Sequence, residues 1–245
     1  MAAVLTVETP PRRLSNATAV TLVALAGLTQ LGALYLCVPV GNAFDLSKTL
    51  LNYCMVLPIS NVLMLGLLWW FVRRNDEPVT AATFGLRPLR WAVPGSKDRA
   101  LIGGAAALAM LLLSVSPLGQ WTIQRMWDLL PGPSWAIGTP DSYKGDFPLD
   151  VTPMLVAFQL LIRIPLTVAA EELLFRGFLQ PRMGRWAPVT VGVLFACYHL
   201  SQWWTIPQLI PLAIALGVLR WWTGSLLPGA AAHYAGNAIY LLAAI

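Results

Sequence analysis

The sequence predicts an all-α fold, a polytopic transmembrane helical bundle of about seven membrane helices, with six to eight as the range. Hydrophobic residues make up 57% of the 245 residues and charged residues only 11%. The mean hydropathy is +0.66, which lies outside the range of soluble domains. Long apolar runs, each near the ~20 residues that a helix needs to cross a bilayer, alternate with polar connections.

The apolar runs predict the spans in chain order. The first run follows Arg12 and Arg13 and is too long for the hydrophobic region of a signal peptide, so we expect a retained helix. Proline and glycine make the sixth run the least regular, and an eighth helix could lie within 121–150. The predicted spans are residues 17–39, 49–72, 100–117, 151–181, 188–204, 206–219 and 226–245.

Two long connections divide the spans. Residues 73–99 hold six basic side chains together with alternating apolar ones, as expected of a segment that lies on an anionic membrane surface. Residues 118–150 form a polar loop. We therefore expect an N-terminal unit over 1–150, which contains both connections, and a four-helix catalytic core over 151–245.

The distribution of positive charge predicts the orientation. With a cytosolic N-terminus, most of the 16 Lys and Arg residues fall on the cytosolic side, as the positive-inside rule requires. We expect an integral protein of a bacterial inner membrane. The net charge of +5 is then explained by cytosolic loops, so membrane lipids are the expected partners and nucleic acid is excluded.

Two adjacent carboxylates, Glu171 and Glu172, interrupt the fourth apolar run. Ionisable groups inside a membrane span are costly and are functional by default. Glu172 and Arg176 are four residues apart with the acid first, the favoured order for an ion pair on one helix face. Glu171 points about 100° away and is left to face a water molecule or a substrate.

Both histidines of the chain, His199 and His233, lie inside apolar runs. His233 and Asn237 are four residues apart and share a helix face. Three spans place their polar groups at a common depth. Each group lies about 16–21 Å from an arginine at the predicted cytosolic end of its span, at a helical rise of ~1.5 Å per residue. The separations are 11 residues from Glu171 to Arg182, 14 from Arg185 to His199 and 13 from Arg220 to His233.

A free carboxylate, two imidazoles and an amide in one layer suit the hydrolysis of an amide bond. A Glu and a His can hold and deprotonate a water molecule. A second His and an Asn can donate hydrogen bonds to the oxyanion that develops. We therefore expect a site at which Glu171, His199, His233 and Asn237 meet.

Three motifs carry a family resemblance: Glu171-Glu172-x-x-x-Arg176, Phe195-x-x-x-His199 and His233-x-x-x-Asn237. In this order they resemble the CAAX-processing and bacteriocin-processing (CPBP, or Abi) intramembrane proteases, which include the endopeptidase that trims prenylated proteins. The resemblance covers about residues 151–245. It implies a glutamic-type endopeptidase that cleaves near the cytosolic side of the membrane and needs no metal.

The resemblance also implies roles for the residues. Glu171 and His199 would activate water, and His233 and Asn237 would form the oxyanion site. Glu172, Arg176 and Phe195 would support them. The implied substrate is a peptide or protein, either prenylated or a peptide precursor.

Three alternatives stay open at this stage. Glu171, His199 and His233 could instead be zinc ligands with an open fourth position, although the sequence has no HExxH motif. The protein could be a non-catalytic membrane partner that acts in immunity or regulation. A proton-coupled transporter would use the same residues as a relay, but the internal repeats typical of transporters are not visible.

Overall fold

A computed structural model describes residues 12–44, 51–75, 79–81, 83–86, 95–131 and 153–243. Within these ranges all regular structure is helical, which confirms the all-α bundle. The helices are α1 (Asn16–Ala43), α2 (Asn52–Arg74), α3 (Ser96–Val115), α4 (Pro117–Leu129), α5 (Pro153–Arg182), α6 (Ala187–Cys197), α7 (Ile206–Thr223) and α8 (Leu227–Ala243). A 3-10 segment, Leu200–Thr205, precedes α7.

Four of these segments are long and apolar enough to cross a membrane: α1, α2, α5 and the combined segment Leu200–Thr223. Large apolar side chains point outwards from them, among them Tyr35, Leu36 and Leu161, each at least two-thirds exposed. Exposed apolar surface of this kind is stable in lipid and not in water. The helices therefore support an integral membrane protein.

The predicted fifth span, residues 188–204, is wrong as a continuous helix. Helix α6 ends at Cys197 after 11 residues. His199 leaves the helical region with φ −74° and ψ 52°, and Gln202 is also non-helical. His199, Ser201 and Gln202 follow the end of the helix, so hydropathy falls at the break and the predicted span should have ended before it.

Helix α4 lies in the predicted polar loop 118–150. Ser116 caps its N-terminus by accepting a hydrogen bond from the amide of Gly119, and Pro117 occupies the first turn, where its missing N–H costs nothing. The rest of that loop, residues 132–150, lies outside the described residues. In the described ranges the bundle thus has eight helices.

Helix α5 contains two π-helical stretches and ends in a 3-10 turn, Gln180–Arg182. Gln159–Arg163 and Glu172–Leu179 are π-helical. Such wide turns are rare and occur mostly at functional sites. In this helix the second π-helical stretch begins at the second carboxylate of the pair.

One end of the bundle gathers basic side chains. Arg73 and Arg74 stack on Trp69 and Trp70 at the end of α2. Two backbone hydrogen bonds join segments at this end. The Leu14 amide donates to the Arg182 carbonyl (3.2 Å), and the Leu226 amide donates to the Gly85 carbonyl (3.1 Å). We name this end the basic end; it contains the start of α1, residues 83–86, the α7–α8 connection and the ends of α2 and α5.

The interfacial segment predicted over 73–99 is described only in part, since residues 76–78, 82 and 87–94 lie outside the described ranges. Residues 83–86 of this segment pack against the rest of the basic end of the bundle. Phe84 is buried in the main core cluster, and its carbonyl lies 2.8 Å from the position that a Cβ on Gly177 would occupy. Gly85 has φ +67°, a conformation that favours glycine.

Candidate active site

Glu172 and Arg176 form the predicted ion pair on α5. Arg176 Nη1 lies 3.3 Å from Glu172 Oε1, and both side chains are fully buried. Arg176 Nη2 donates to the carbonyl of Ala213 on α7 (3.2 Å), and the guanidinium covers the Phe195 ring at 4.2 Å from its centroid. The pair therefore ties α5 to α6 and α7, and Phe195 is a packing partner for the arginine.

Glu171 faces the two histidines. Its Oε2 lies 3.5 Å from His233 Nε2, and its Oε1 lies 4.0 Å from His199 Nε2. The hydroxyl of Tyr198 donates a hydrogen bond to Oε1. The carboxylate is almost completely buried, so these three side chains make up most of its polar surroundings.

Each imidazole is held at its other ring nitrogen. His199 Nδ1 lies 3.0 Å from the carbonyl of Phe195, and His233 Nδ1 lies 3.0 Å from Glu172 Oε1. Both partners are acceptors, so each Nδ1 carries a proton and donates it. Both Nε2 atoms are thereby aimed at Glu171, and His233 joins the two glutamates.

The break after α6 lets two adjacent residues reach the same carboxylate. On a regular helix Tyr198 and His199 would point about 100° apart. Because the chain leaves the helix at His199, the Tyr198 hydroxyl and the His199 imidazole both face Glu171 Oε1.

A cavity of about 190 Å³ unites the predicted residues. Glu171, His199, His233 and Asn237 all line it, as does Phe195. Glu172 and Arg176 lie behind its wall and support it through the contacts above. The roles assigned to these residues stay predictions.

Sequence reasoning missed several polar residues at this site. Tyr198 was part of a motif but received no role, and its position next to His199 was the available signal. Other polar side chains of the cavity lining received no role in the prediction. They are Gln30, Asn52, Tyr53, Gln120, Arg163, Thr167, Ser201, Gln202, Thr205, Gln208 and Tyr240.

The cavity extends in one direction from the two glutamates. Its far wall comes from Asn52 and Tyr53 at the start of α2, Gln120 on α4 and Tyr240 near the end of α8. These helix ends are opposite those that form the basic end. The cavity therefore runs from the layer of Glu171 towards the end of the bundle opposite the basic end.

The same histidine geometry bears on the zinc alternative. Anchored Nδ1 atoms with Nε2 atoms facing a carboxylate are also typical of metal-binding imidazoles. However, the part of the chain that the structure describes contains no group of three or more His, Cys, Asp or Glu side chains arranged to hold a metal ion.

Comparison with known proteins agrees with the motifs. Residues 153–239 match the family model described as "Type II CAAX prenyl endopeptidase Rce1-like". This segment of the chain is similar to the Rce1-like family. The predicted family resemblance is therefore confirmed for these residues, which comprise nearly all of α5–α8.

A curated relative, "Uncharacterized protein YpbD" from Bacillus subtilis (strain 168), is 34% identical over 91 residues. The alignment covers 36% of this chain and 44% of the relative, so the chain spans less than half the length of that protein. No solved structure matches the chain.

Proposed function

We propose that this protein is an intramembrane endopeptidase of the glutamic type. The observation that carries the proposal is the position of Glu171, whose two carboxylate oxygens face the Nε2 atoms of His199 and His233 in one cavity. The Rce1-like match over 153–239 supports a protease of the CAAX type.

In the proposed reaction, Glu171 and His199 hold a water molecule and Glu171 takes its proton as the water attacks the peptide carbonyl. The resulting oxyanion is stabilised by His233 and Asn237. Glu171 then gives the proton to the leaving amine, and the C–N bond breaks. Tyr198 fixes the carboxylate through its hydrogen bond to Oε1.

His233 can serve the oxyanion only in one protonation state. Its Nδ1 donates to the Glu172 carboxylate, so a second proton on Nε2 is needed for donation into the cavity. Glu172 is in turn neutralised by Arg176. We therefore assign Glu172 and Arg176 the role of positioning His233.

We propose a peptide or protein substrate, either prenylated or a peptide precursor, and membrane lipids as the surroundings. We also propose that the protein lies in the bacterial inner membrane with the N-terminus and the basic end in the cytosol. In this orientation the scissile bond would lie at the depth of Glu171, in the half of α5 nearer the cytosol. Labelling of single cysteines at Arg74 and Leu130 with an impermeant maleimide tests this orientation.

The zinc alternative, with Glu171, His199 and His233 as ligands, has only the anchored Nδ1 atoms in its favour, since no three described side chains are arranged to hold a metal ion. Zinc would supply a Lewis acid and a bound water molecule. Loss of cleavage on exhaustive chelation, with recovery on added zinc, would support it.

Comparative proteomics tests the proposed function. Cells that carry the wild type are compared with cells that carry Glu171→Ala, and peptide termini that vanish identify substrates. Asp128→Asn is a matched control, because it removes an exposed carboxylate on α4 away from the cavity. Identical termini in all three strains, with the cellular phenotype retained by Glu171→Ala, would favour the non-catalytic role in immunity or regulation.

A further inference from the structure

An arginine inside α5 has no role in the reaction proposed above. Arg163 is buried, with 6% of its surface exposed. Its Nε donates to Gln159 Oε1, and its guanidinium lies 4.8 Å from the centroid of the Tyr53 ring. Both partners are neutral, so neither compensates the positive charge.

Within the described ranges no carboxylate lies within 4 Å of this guanidinium, whereas Arg176 on the same helix has Glu172. A buried charge without a counter-ion is strongly unfavourable, and in a membrane span it marks a functional site by default. Glu171 attracts this charge across the cavity, but no described carboxylate is in contact with the guanidinium, which can therefore accept a further anion in direct contact.

The position of Arg163 suggests where that anion comes from. Arg163, Thr167 and Glu171 follow one another along α5, and all three line the same cavity. Arg163 precedes Glu171 by eight residues, about 12 Å along the helix axis, in the direction in which the cavity extends. An extended peptide covers that distance in about three to four residues.

We propose that Arg163 binds a carboxylate of the peptide substrate and so selects which bond reaches Glu171. Gln159 holds Nε, which leaves the Nη groups for the substrate, and a guanidinium matches a carboxylate with paired hydrogen bonds. The carboxylate belongs to the C-terminus of the peptide or to an acidic side chain about two to five residues from the scissile bond, by the spacing above. The inference rests on the proposed peptidase function.

Binding tests this inference without cleavage. Full-length Glu171→Gln protein in lipid nanodiscs is titrated calorimetrically with N-acetylated Leu/Val tetrapeptides of three kinds. One has a free C-terminal carboxylate, one a C-terminal amide, and one the amide with a Glu side chain at the third position. Each titration is repeated in the same background with Arg163→Gln, Arg163→Lys or Arg182→Gln.

The carboxylate peptides should bind roughly 10- to 100-fold more tightly than the neutral amide, as expected for charge-assisted hydrogen bonds. Arg163→Gln should abolish this preference and Arg163→Lys should keep part of it. Arg182→Gln should leave it unchanged, because Arg182 is equally buried on α5 but lies outside the cavity lining. The peptide that shows the preference identifies the source of the carboxylate.

Equal binding of the three peptides, no binding of any, or a preference that survives Arg163→Gln would each overturn the inference. A structural role would appear as a lower melting temperature for Arg163→Gln with unchanged peptide preference. Failure of the peptidase proposal has a different signature, namely no cleavage by the wild type.

Discussion

The buried pair between Glu172 and Arg176 gives the sharpest stability prediction. At 3.3 Å and an effective dielectric constant of about 20, Coulomb's law gives about 5 kcal/mol of attraction. Removing one partner of such a pair typically costs about 3–5 kcal/mol, because the other charge stays buried. We expect Glu172→Gln to lower the unfolding free energy by this amount, which corresponds to a fall of roughly 6–20 °C in melting temperature.

The assay is thermal unfolding of the purified protein in detergent, with a double-mutant cycle. Glu172→Gln combined with Arg176→Gln should be more stable than Glu172→Gln alone, since the combination leaves no unpaired guanidinium. Asp128→Asn on α4 is the control; it removes an exposed carboxylate that accepts from Gln124 four residues away and should change stability by less than about 0.5 kcal/mol. A Glu172→Gln variant as stable as the wild type, or strictly additive effects in the cycle, would refute the reasoning.

Three further predictions follow. Tyr198→Phe keeps the ring but removes the hydrogen bond to Glu171, so kcat should fall roughly 10- to 100-fold; unchanged kcat would exclude the positioning role. Gly85→Ala should destabilise the fold by about 1–3 kcal/mol, because φ is +67° and a Cβ would lie 2.2 Å from Arg220 Nη2, whereas Gly104→Ala, with open space around it, should be neutral or stabilising. Cleavage should survive exhaustive chelation. A loss of cleavage that added zinc restores would instead support the zinc-dependent mechanism.

The common depth of the site residues could be predicted because depth depends only on the number of residues along each helix. Glu171, His199 and His233 lie at similar numbers of residues from basic markers at one end of the bundle, and helical rise converts that count into depth. Their contacts in the structure agree with this common layer. The spacing of Glu172 and Arg176 likewise predicted their ion pair.

Other features could not be predicted from hydropathy. His199, Ser201 and Gln202 lower the hydropathy after helix α6, but that fall does not show that the break brings Tyr198 to Glu171. The π-helical turns of α5 likewise have no signature in the amino-acid composition of the helix. Arg163 is a charge within an apolar run, but its neighbour Tyr53 lies on α2, and only tertiary packing brings the two together.

The central claim is that the Glu171 carboxylate acts as the proton acceptor in peptide hydrolysis. The most direct measurement is single-turnover cleavage of a proteomically identified substrate by the purified protein in liposomes, comparing the wild type with Glu171→Gln. The substitution keeps the shape of the side chain and removes its basicity. The account predicts a loss of at least about 100-fold, the lower range for a general base. Cleavage by Glu171→Gln within a fewfold of the wild-type rate would contradict it.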